Sequence, residues 1–205
     1  VIQERGKQKK PIERVYKLLF NRELYLNAYA KLYPNNGAMT KGVTNETVDG
    51  MSIQKIDRMI EILREEKYQW KPARREYIKK KNGKKRPLGI PVWGDKVLQE
   101  VMRQILEAYY EPQFSEHSHG FRPNRGCHTA LQEIQVWKGT RWFIEGDISQ
   151  YFDTIDHKIL LEILARNIHD GRFIRLVSNM LEAGYLEEWK FKQTISGVPQ
   201  GGVIS

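Results

Sequence analysis

The sequence predicts an α+β fold in which helices pack on a small antiparallel sheet that includes a basic β-hairpin. Apolar residues recur at helical spacing in several segments, and Asn82 and Gly83 separate two runs that are typical of strands. Helices and strands alternate without a long β-α-β repeat, which favours α+β over a parallel α/β fold. With 205 residues and a 40% hydrophobic content, the chain can bury a sizeable core.

Three helical segments are predicted in the first half of the chain. Residues 11–33 are expected to form one long helix or two, with Pro11 in the first turn. Ser52 is expected to cap the next helix, and a third runs on from Asp95. The apolar stripes of these helices indicate core rather than a site.

The second half mixes strands and helices. Residues 142–148 are predicted to form a short apolar strand that ends in an acid, and residues 185–194 a strand or hairpin arm. Helices are expected over residues 156–167 and 172–183, the first capped by Asp156 and the second stopped by Gly184.

Positive charge is clustered along the chain. The net charge is +9, from 34 Lys and Arg against 25 Asp and Glu. Residues 71–87 hold nine cations and one acid, and residues 1–17 form a basic segment that enters a helix. The cations of this N-terminal basic segment are Arg5, Lys7, Lys9, Lys10, Arg14 and Lys17. Such clustering predicts a polyanionic partner, with nucleic acid first and an anionic membrane surface second.

The predicted basic hairpin places cations opposite one another across its two strands. Asn-Gly suits a two-residue type I′ turn, which would place Lys79 directly opposite Arg86. Like charges that face each other across a ladder destabilise it, so a polyanion is the expected counter-charge.

Cysteine and hydropathy exclude several classes of protein. A single cysteine cannot form an internal disulfide, which excludes a disulfide scaffold and favours a reducing compartment such as the cytoplasm. No apolar run approaches the roughly 20 residues of a membrane span, so no transmembrane segment is expected. With nucleic acid as the first candidate for the polyanion, no membrane partner is expected. The spacing of His117, His119, Cys127 and His128 matches no structural zinc site.

One carboxylate is a candidate metal ligand. Asp147 follows the predicted apolar strand, and a carboxylate at a strand end is well placed to bind a hard divalent cation. The carbonyl of Ile148 could supply a second oxygen. Taken alone, the same pattern favours a turn or capping residue over a metal ligand.

Four ordered motifs resemble one family. Residues 84–91, 120–126, 147–157 and 197–202 are similar to four consecutive blocks of reverse transcriptases, and their character is closest to the group II intron-encoded maturases. Residues 36–50 resemble the additional N-terminal block of that branch, with departures at Lys41 and Thr44. An alternative is another branch, of the retron or diversity-generating type.

The resemblance implies a right-hand polymerase fold. Residues 1–120 would be the fingers with a basic RNA-binding extension, and residues 121–205 the beginning of the palm, truncated before the second block of catalytic carboxylates. The implied function of the full-length protein is RNA-directed DNA synthesis, together with binding of intron RNA that assists splicing and retromobility. The resemblance also implies a cytoplasmic location in bacteria. These 205 residues are expected to bind RNA but not to polymerise alone.

The resemblance also implies roles for individual residues. Asp147 matches the first catalytic carboxylate, and Ile148 the residue whose carbonyl joins it at two Mg²⁺ ions. Phe152 matches the bulky residue that excludes a ribose 2′-hydroxyl. Gln200 matches the glutamine beside the nascent base pair.

Triphosphate binding would fall to the basic hairpin. Arg86 matches the arginine that grips the incoming nucleotide, with Lys80 as its partner by family pattern or Lys79 by the two-residue turn; the pattern is preferred. The implied partners are group II intron RNA, an RNA template with a DNA primer, and deoxynucleoside triphosphates. Arg122 and Arg125 would serve the template or pack the palm.

Overall fold

The computed structural model describes residues 1–79, 83, 85–188, 190–194, 197 and 203. The α-helices of these residues are α1 (Ile2–Lys7), α2 (Arg22–Leu32), α3 (Ile53–Arg64), α4 (Trp93–Tyr110), α5 (Cys127–Gln135), α6 (Tyr151–Thr154), α7 (His157–Asn167) and α8 (Gly171–Glu182). The strands are β1 (Ile12–Glu13), β2 (Ala73–Lys79), β3 (Lys85–Ile90), β4 (Ile168–His169), β5 (Tyr185–Glu187) and β6 (Lys190–Lys192). The predicted α+β class is confirmed.

Helix α4 lies at the centre of the core. Its buried apolar side chains recur at helical spacing and pack against α1 and α2. They are Val97, Leu98, Val101, Met102, Ile105 and Tyr109. Full burial of one such side chain contributes about 1.5–3 kcal/mol, so this stripe is the largest apolar contribution of any single helix described here.

The N-terminal third differs from the prediction of a helix that starts at Pro11. Ile12 and Glu13 form β1, which pairs in parallel with β4. Arg14 then adopts a left-handed conformation with φ of 56°, and a 3₁₀-helix covers Val15–Phe20. Asn21 caps α2 by accepting a hydrogen bond from the backbone N–H of Glu23. The pairing of β1 with β4, which is distant in sequence, therefore prevails over the helix that the local apolar spacing predicts.

Helix α1 is docked on the end of α4 rather than extending from the molecule. Gly6 is buried there, and a Cβ on it would lie 2.1 Å from the carbonyl oxygen of Tyr109. The Tyr109 hydroxyl donates to the carbonyl of Lys10 at 3.0 Å. The backbone of the N-terminal basic segment is therefore held in place by α4.

Helix caps follow the sequence closely. Ser52 accepts from the backbone N–H of Lys55, and Asp156 accepts from that of Ile159. Gly184 follows the end of α8 with φ of 71°, as expected of a helix-stopping glycine. These predictions are confirmed.

The sheet is larger and more mixed than predicted. Its order is β3-β2-β5-β6, with β2 antiparallel to β3 and parallel to β5. Gly184 lies where β5 begins, and a Cβ there would come within 2.6 Å of the carbonyl of Lys192. The expected antiparallel hairpin is thus joined to a second hairpin in one four-stranded sheet.

The register predicted from a two-residue turn is wrong. Ile78 lies opposite Arg86, and Lys79 opposite Lys85. This register is displaced by one residue, which reverses the face that each side chain occupies relative to its expected partner.

The predicted apolar strand over residues 142–148 is also absent from the described structure, where these residues have no regular secondary structure. Trp142 is 87% exposed and Ile144 is 95% exposed. An apolar strand is stabilised by pairing and burial, and no strand of the described residues pairs with this segment.

Two acids of α4 are buried with their own partners. Asp95, 2% exposed, accepts hydrogen bonds from the Tyr68 hydroxyl at 2.6 Å and from the backbone N–H of Lys71 at 3.0 Å. Burial raises the pKa of Asp95 to about 6, although both hydrogen bonds oppose that rise.

Glu100 is buried one turn and a half further along α4. Arg103 binds both of its carboxylate oxygens, at 2.8 and 2.9 Å, and Lys31 of α2 lies 3.2 Å away. Burial alone would raise the pKa of Glu100, but the hydrogen bonds and charge of Arg103, with Lys31, outweigh it and hold the pKa below its ordinary value.

The buried carboxyl of Asp95 should make stability fall as pH rises. Its pKa is higher in the folded protein than the ordinary 3.8, so its stabilising contribution is complete below about pH 4 and lost as pH rises through 6. In urea unfolding, the unfolding free energy of Asp95→Asn relative to that of the wild type should rise by roughly 3 kcal/mol between pH 4 and pH 7. The exposed Asp49→Asn should follow the wild type. Parallel profiles for wild type and Asp95→Asn would refute this account.

Removal of the Arg103 guanidinium should leave Glu100 as a poorly compensated buried charge. We expect Arg103→Met to cost about 3 kcal/mol of unfolding free energy, because breaking a buried pair by removing one partner typically costs 3–5 kcal/mol. Glu107→Gln, which removes only the more exposed partner of Arg103, should cost under about 1 kcal/mol. A double variant, Glu100→Leu with Arg103→Met, should recover most of the loss. A cost below about 1 kcal/mol for Arg103→Met alone would contradict the assignment.

Candidate nucleotide and nucleic-acid interface

Asp147 and Ile148 lie in the exposed segment before α6. Both side chains are exposed, and within the described ranges no cluster of three or more His, Cys, Asp or Glu could hold a metal ion. One carboxylate and one carbonyl are two oxygen donors, whereas Mg²⁺ requires near-octahedral coordination. These two residues therefore do not build a metal site by themselves.

Phe152 occupies a more defined position. It lies in α6, half-buried, and lines a cavity of about 240 Å³ together with residues of α4, α7 and α8. The polar side chains of this cavity include Asp95 and Gln99 of α4. Phe152 is thus presented from a short helix that follows the segment of residues 142–148.

The block that begins at Gly197 is attached to the Phe152 block. The backbone N–H of Gly197 donates to the carbonyl of Ile155 at 2.8 Å, and His157 Nε2 donates to the carbonyl of Gly197 at 2.7 Å. A Cβ on Gly197 would lie 2.6 Å from the carbonyl oxygen of Phe152, so only glycine permits this approach. Two motifs more than 40 residues apart are therefore in direct contact.

Further contacts of this region were not foreseen. Gln99 Oε1 accepts a hydrogen bond from the backbone N–H of Val203 at 3.0 Å, which ties the same chain segment to α4. His157, the first residue of α7, binds the carbonyl of Gly197 through its ring. Gln200 lies outside the described residues, as does Lys80 on the basic hairpin.

Arg86 is exposed on β3, opposite Ile78. Because side chains alternate along a strand, Lys79 points to the other face of the sheet. The structure therefore excludes Lys79 as the neighbour of Arg86 and contradicts the pairing expected from the two-residue turn.

Residues 36–50, which resemble the additional N-terminal block, are fastened to the base of the hairpin and to α4. Lys96 Nζ donates to the carbonyls of Gly37 and Thr40, both at 3.1 Å, and Arg74 Nε donates to the carbonyl of Lys41 at 3.0 Å. Burial and the nearby Arg74 charge lower the pKa of Lys96. A Cβ on Gly42 would lie 2.8 Å from the Pro91 carbonyl oxygen.

The N-terminal basic segment presents most of its cations to solvent. Five side chains are exposed: Lys7, Lys9, Lys10, Arg14 and Lys17. Arg5 is half-buried, and its Nε donates to the carbonyl of Pro11 at 2.7 Å. Arg5 therefore has a structural contact that the other five lack in the described structure.

Arg122 stabilises the structure around the motif in which it lies, residues 120–126. Its side chain is 8% exposed, binds Glu111 at 2.9 Å and donates to the carbonyls of Ser115 and Ser118. The guanidinium thus organises the turn after α4 and is not presented to a template.

The two histidines of that turn contact an acid. His117 and His119 both bind the Glu133 carboxylate, the latter at 2.7 Å, and these hydrogen bonds lower the pKa of Glu133. Both imidazoles are therefore hydrogen-bonded to the Glu133 carboxylate of α5.

In the part of the chain that the structure covers, no helix has the length and apolarity needed to cross a bilayer.

Comparison with known proteins places this arrangement in a family. Residues 78–205 match the model of the reverse transcriptase (RNA-dependent DNA polymerase) family. The chain is 50% identical, over 94% of its length, to the group II intron-encoded protein LtrA of Lactococcus lactis subsp. cremoris. It is 49% identical, over 91% of its length, to an uncharacterized 91 kDa protein in a cob intron of Schizosaccharomyces pombe.

A plant relative extends the similarity. Over 45% of its length, the chain is 36% identical to nuclear intron maturase 1, mitochondrial, of Arabidopsis thaliana. The chain spans 32% of the Lactococcus protein, 23% of the Schizosaccharomyces protein and 13% of the Arabidopsis protein, so it corresponds to a third or less of each. The resemblance to group II intron-encoded proteins is confirmed. Since the family model covers more than half of the chain, the protein belongs to the reverse transcriptase (RNA-dependent DNA polymerase) family.

Proposed function

We propose that the chain is the fingers (residues 1–120) and the beginning of the palm (residues 121–205) of a group II intron-encoded reverse transcriptase. The observation that carries this proposal is the contact of Gly197 with Phe152 and Ile155, because it joins two motif blocks at one place. The names of the similar proteins favour the intron-encoded branch over a retron or diversity-generating enzyme. The activity of the whole protein would be RNA-directed DNA synthesis.

The nucleotide would bind between the basic hairpin and α6. Arg86, exposed on β3, carries a planar fork of donors that suits phosphate oxygens, and Lys80 is its proposed partner. Phe152 would exclude a 2′-hydroxyl by its size, since α6 and the cavity wall fix its position. Gln200 would lie beside the nascent base pair.

Metal binding is proposed at Asp147 and the Ile148 carbonyl. Reverse transcriptases use divalent metal ions, and oxygen donors of this kind suit Mg²⁺. Bound Mg²⁺ would activate the primer hydroxyl and offset charge on the triphosphate. The described residues supply two donors, so the remaining ligands would come from elsewhere in the protein.

RNA binding is proposed for the N-terminal basic segment. Its five exposed cations stand on backbone that α4 holds in place, which lowers the entropic cost of ordering them on RNA. The partner would be group II intron RNA, with an RNA template and DNA primer as the polymerase substrates. A cytoplasmic location and the inability of these 205 residues to extend a primer alone stay predictions.

Neutralising the N-terminal basic segment should weaken RNA binding. We expect Lys7→Gln with Lys9→Gln and Lys10→Gln to lower affinity for a fluorescein-labelled group II intron transcript at least about tenfold near 0.1 M salt. The slope of log K against log salt should fall by about 2–3, because each lost phosphate contact removes roughly 0.7–0.9. Fluorescence anisotropy across a salt series measures both.

The matched control neutralises three exposed lysines elsewhere, Lys67, Lys138 and Lys158, and should leave affinity near that of the wild type. Asp147→Ala should also bind normally, since it removes no cation. Equal losses in the two triple variants would contradict a role for the N-terminal basic segment.

Asp147 and Phe152 can be tested by primer extension in a longer protein that contains this chain. Asp147→Asn should reduce extension on an oligo(dT)-primed poly(rA) template by at least about 10³-fold while RNA binding is retained, because it removes a metal-binding charge. Phe152→Val should raise the ratio of ribonucleotide to deoxynucleotide incorporation. Near-normal extension by Asp147→Asn would exclude the carboxylate from the catalytic site.

A further inference from the structure

The joining of the two hairpins creates a surface that neither hairpin has alone. Because side chains alternate along each strand and the registers are known, one face of the sheet collects residues of all four strands. We call it the lysine face; it consists of Arg75, Tyr77, Lys79, Lys85, Tyr185, Glu187, Lys190 and Lys192. Arg86 is on the opposite face, so this surface is separate from the proposed triphosphate site.

The lysine face carries uncompensated positive charge. It holds five cations and one acid, and that acid, Glu187, already binds Lys192 and the Tyr77 hydroxyl. Lys79, Lys85 and Lys190 are exposed, and none of them enters an ion pair among the described residues. Lys79 and Lys85 lie directly opposite each other, an arrangement that destabilises the ladder until an anion offsets it.

An aromatic ring is fixed among these cations. Tyr77 is 50% exposed, and its hydrogen bond to Glu187 connects β2 with β5. Beside it, the Arg75 guanidinium lies 3.8 Å from the centre of the Tyr185 ring, which orders the neighbouring positions. An exposed ring held in one orientation can stack on a base without a further ordering cost.

We propose that the lysine face binds a single-stranded segment of RNA, with phosphates against Lys79, Lys85 and Lys190 and one base stacked on Tyr77. The proposal rests on the proposed function in one respect, that the protein works on RNA. Cations that can contact the phosphate backbone of RNA, placed beside an exposed aromatic ring, suit a single strand. The bases of a duplex are already stacked and paired, so they are not free to stack on a side chain.

The test uses fluorescence anisotropy with a fluorescein-labelled 12-nucleotide oligouridylate. The triple variant Lys79→Gln, Lys85→Gln, Lys190→Gln should bind at least about tenfold more weakly near 0.05 M salt, with the salt slope reduced by about 2. Its thermal stability should equal or exceed that of the wild type, because the Lys79–Lys85 repulsion is removed, so misfolding cannot explain the loss. Tyr77→Ala should weaken binding about 5- to 100-fold, whereas Tyr77→Phe, which keeps the ring, should stay within about twofold.

The control is the triple variant at Lys67, Lys138 and Lys158. The proposal is overturned if the lysine-face variant binds like this control, if Tyr77→Ala binds like Tyr77→Phe, or if a 12-base-pair RNA duplex competes as well as the single strand. It is also overturned if the lysine-face substitutions abolish binding to phosphatidylserine vesicles but leave RNA affinity unchanged. Absence of RNA binding by the wild type would defeat the proposed function as well, whereas loss only in the N-terminal variant would defeat the lysine face alone.

Discussion

The burial of helix α4 is the constraint on which the rest of the structure depends. Its apolar stripe packs against α1 and α2, and its polar side chains bind three other parts of the chain. Lys96 holds the loop over residues 36–50, Asp95 receives the backbone just before β2, and Gln99 receives Val203. Each of these groups would be costly to bury unpaired, so each contact is required by the burial of the helix itself.

This arrangement links stability to function. The Asp95 carboxylate and the Phe152 ring line the same cavity, and the segment that contains Gly197 closes against α6 and α7. The basic surfaces lie at the periphery. The N-terminal basic segment is anchored by the packing of Gly6 of α1 against Tyr109 of α4. The sheet begins with β2, two residues after the Lys71 backbone that binds Asp95. A rigid centre with cations on anchored edges suits a protein that must hold a long polyanion without deforming.

Features decided by local chemistry could be predicted from the sequence. The caps at Ser52 and Asp156, the stop at Gly184 and the four helices predicted after residue 50 depend on neighbouring residues, and each was confirmed. The short helices α5 and α6 were not predicted. The predictions were wrong where contacts between residues distant in sequence determine the structure. Ile12 pairs with Ile168, which no local period reveals, and the register of β2 with β3 differs by one residue from that expected of a two-residue turn. Residues 142–148 have strand character without a described strand to pair with.

The candidate site divides in the same way. Motif order predicts Arg86, Phe152 and Asp147 as site residues, because the proposed chemistry constrains which residue types can fill those positions. The roles of His157 and Gln99 depend on backbone groups 40 and 104 residues away, and no sequence signal marks such a contact. The lysine face likewise exists only because β2 pairs with β5.

The central claim is that RNA follows the anchored basic edges of this fold. Ultraviolet crosslinking of the wild-type chain to RNA, with the crosslinked peptides identified by mass spectrometry, tests it most directly. The account predicts crosslinks within residues 7–17 and at Tyr77 or residues 190–192. Crosslinks concentrated around Lys67 and Lys158, with neither basic edge labelled, would contradict it.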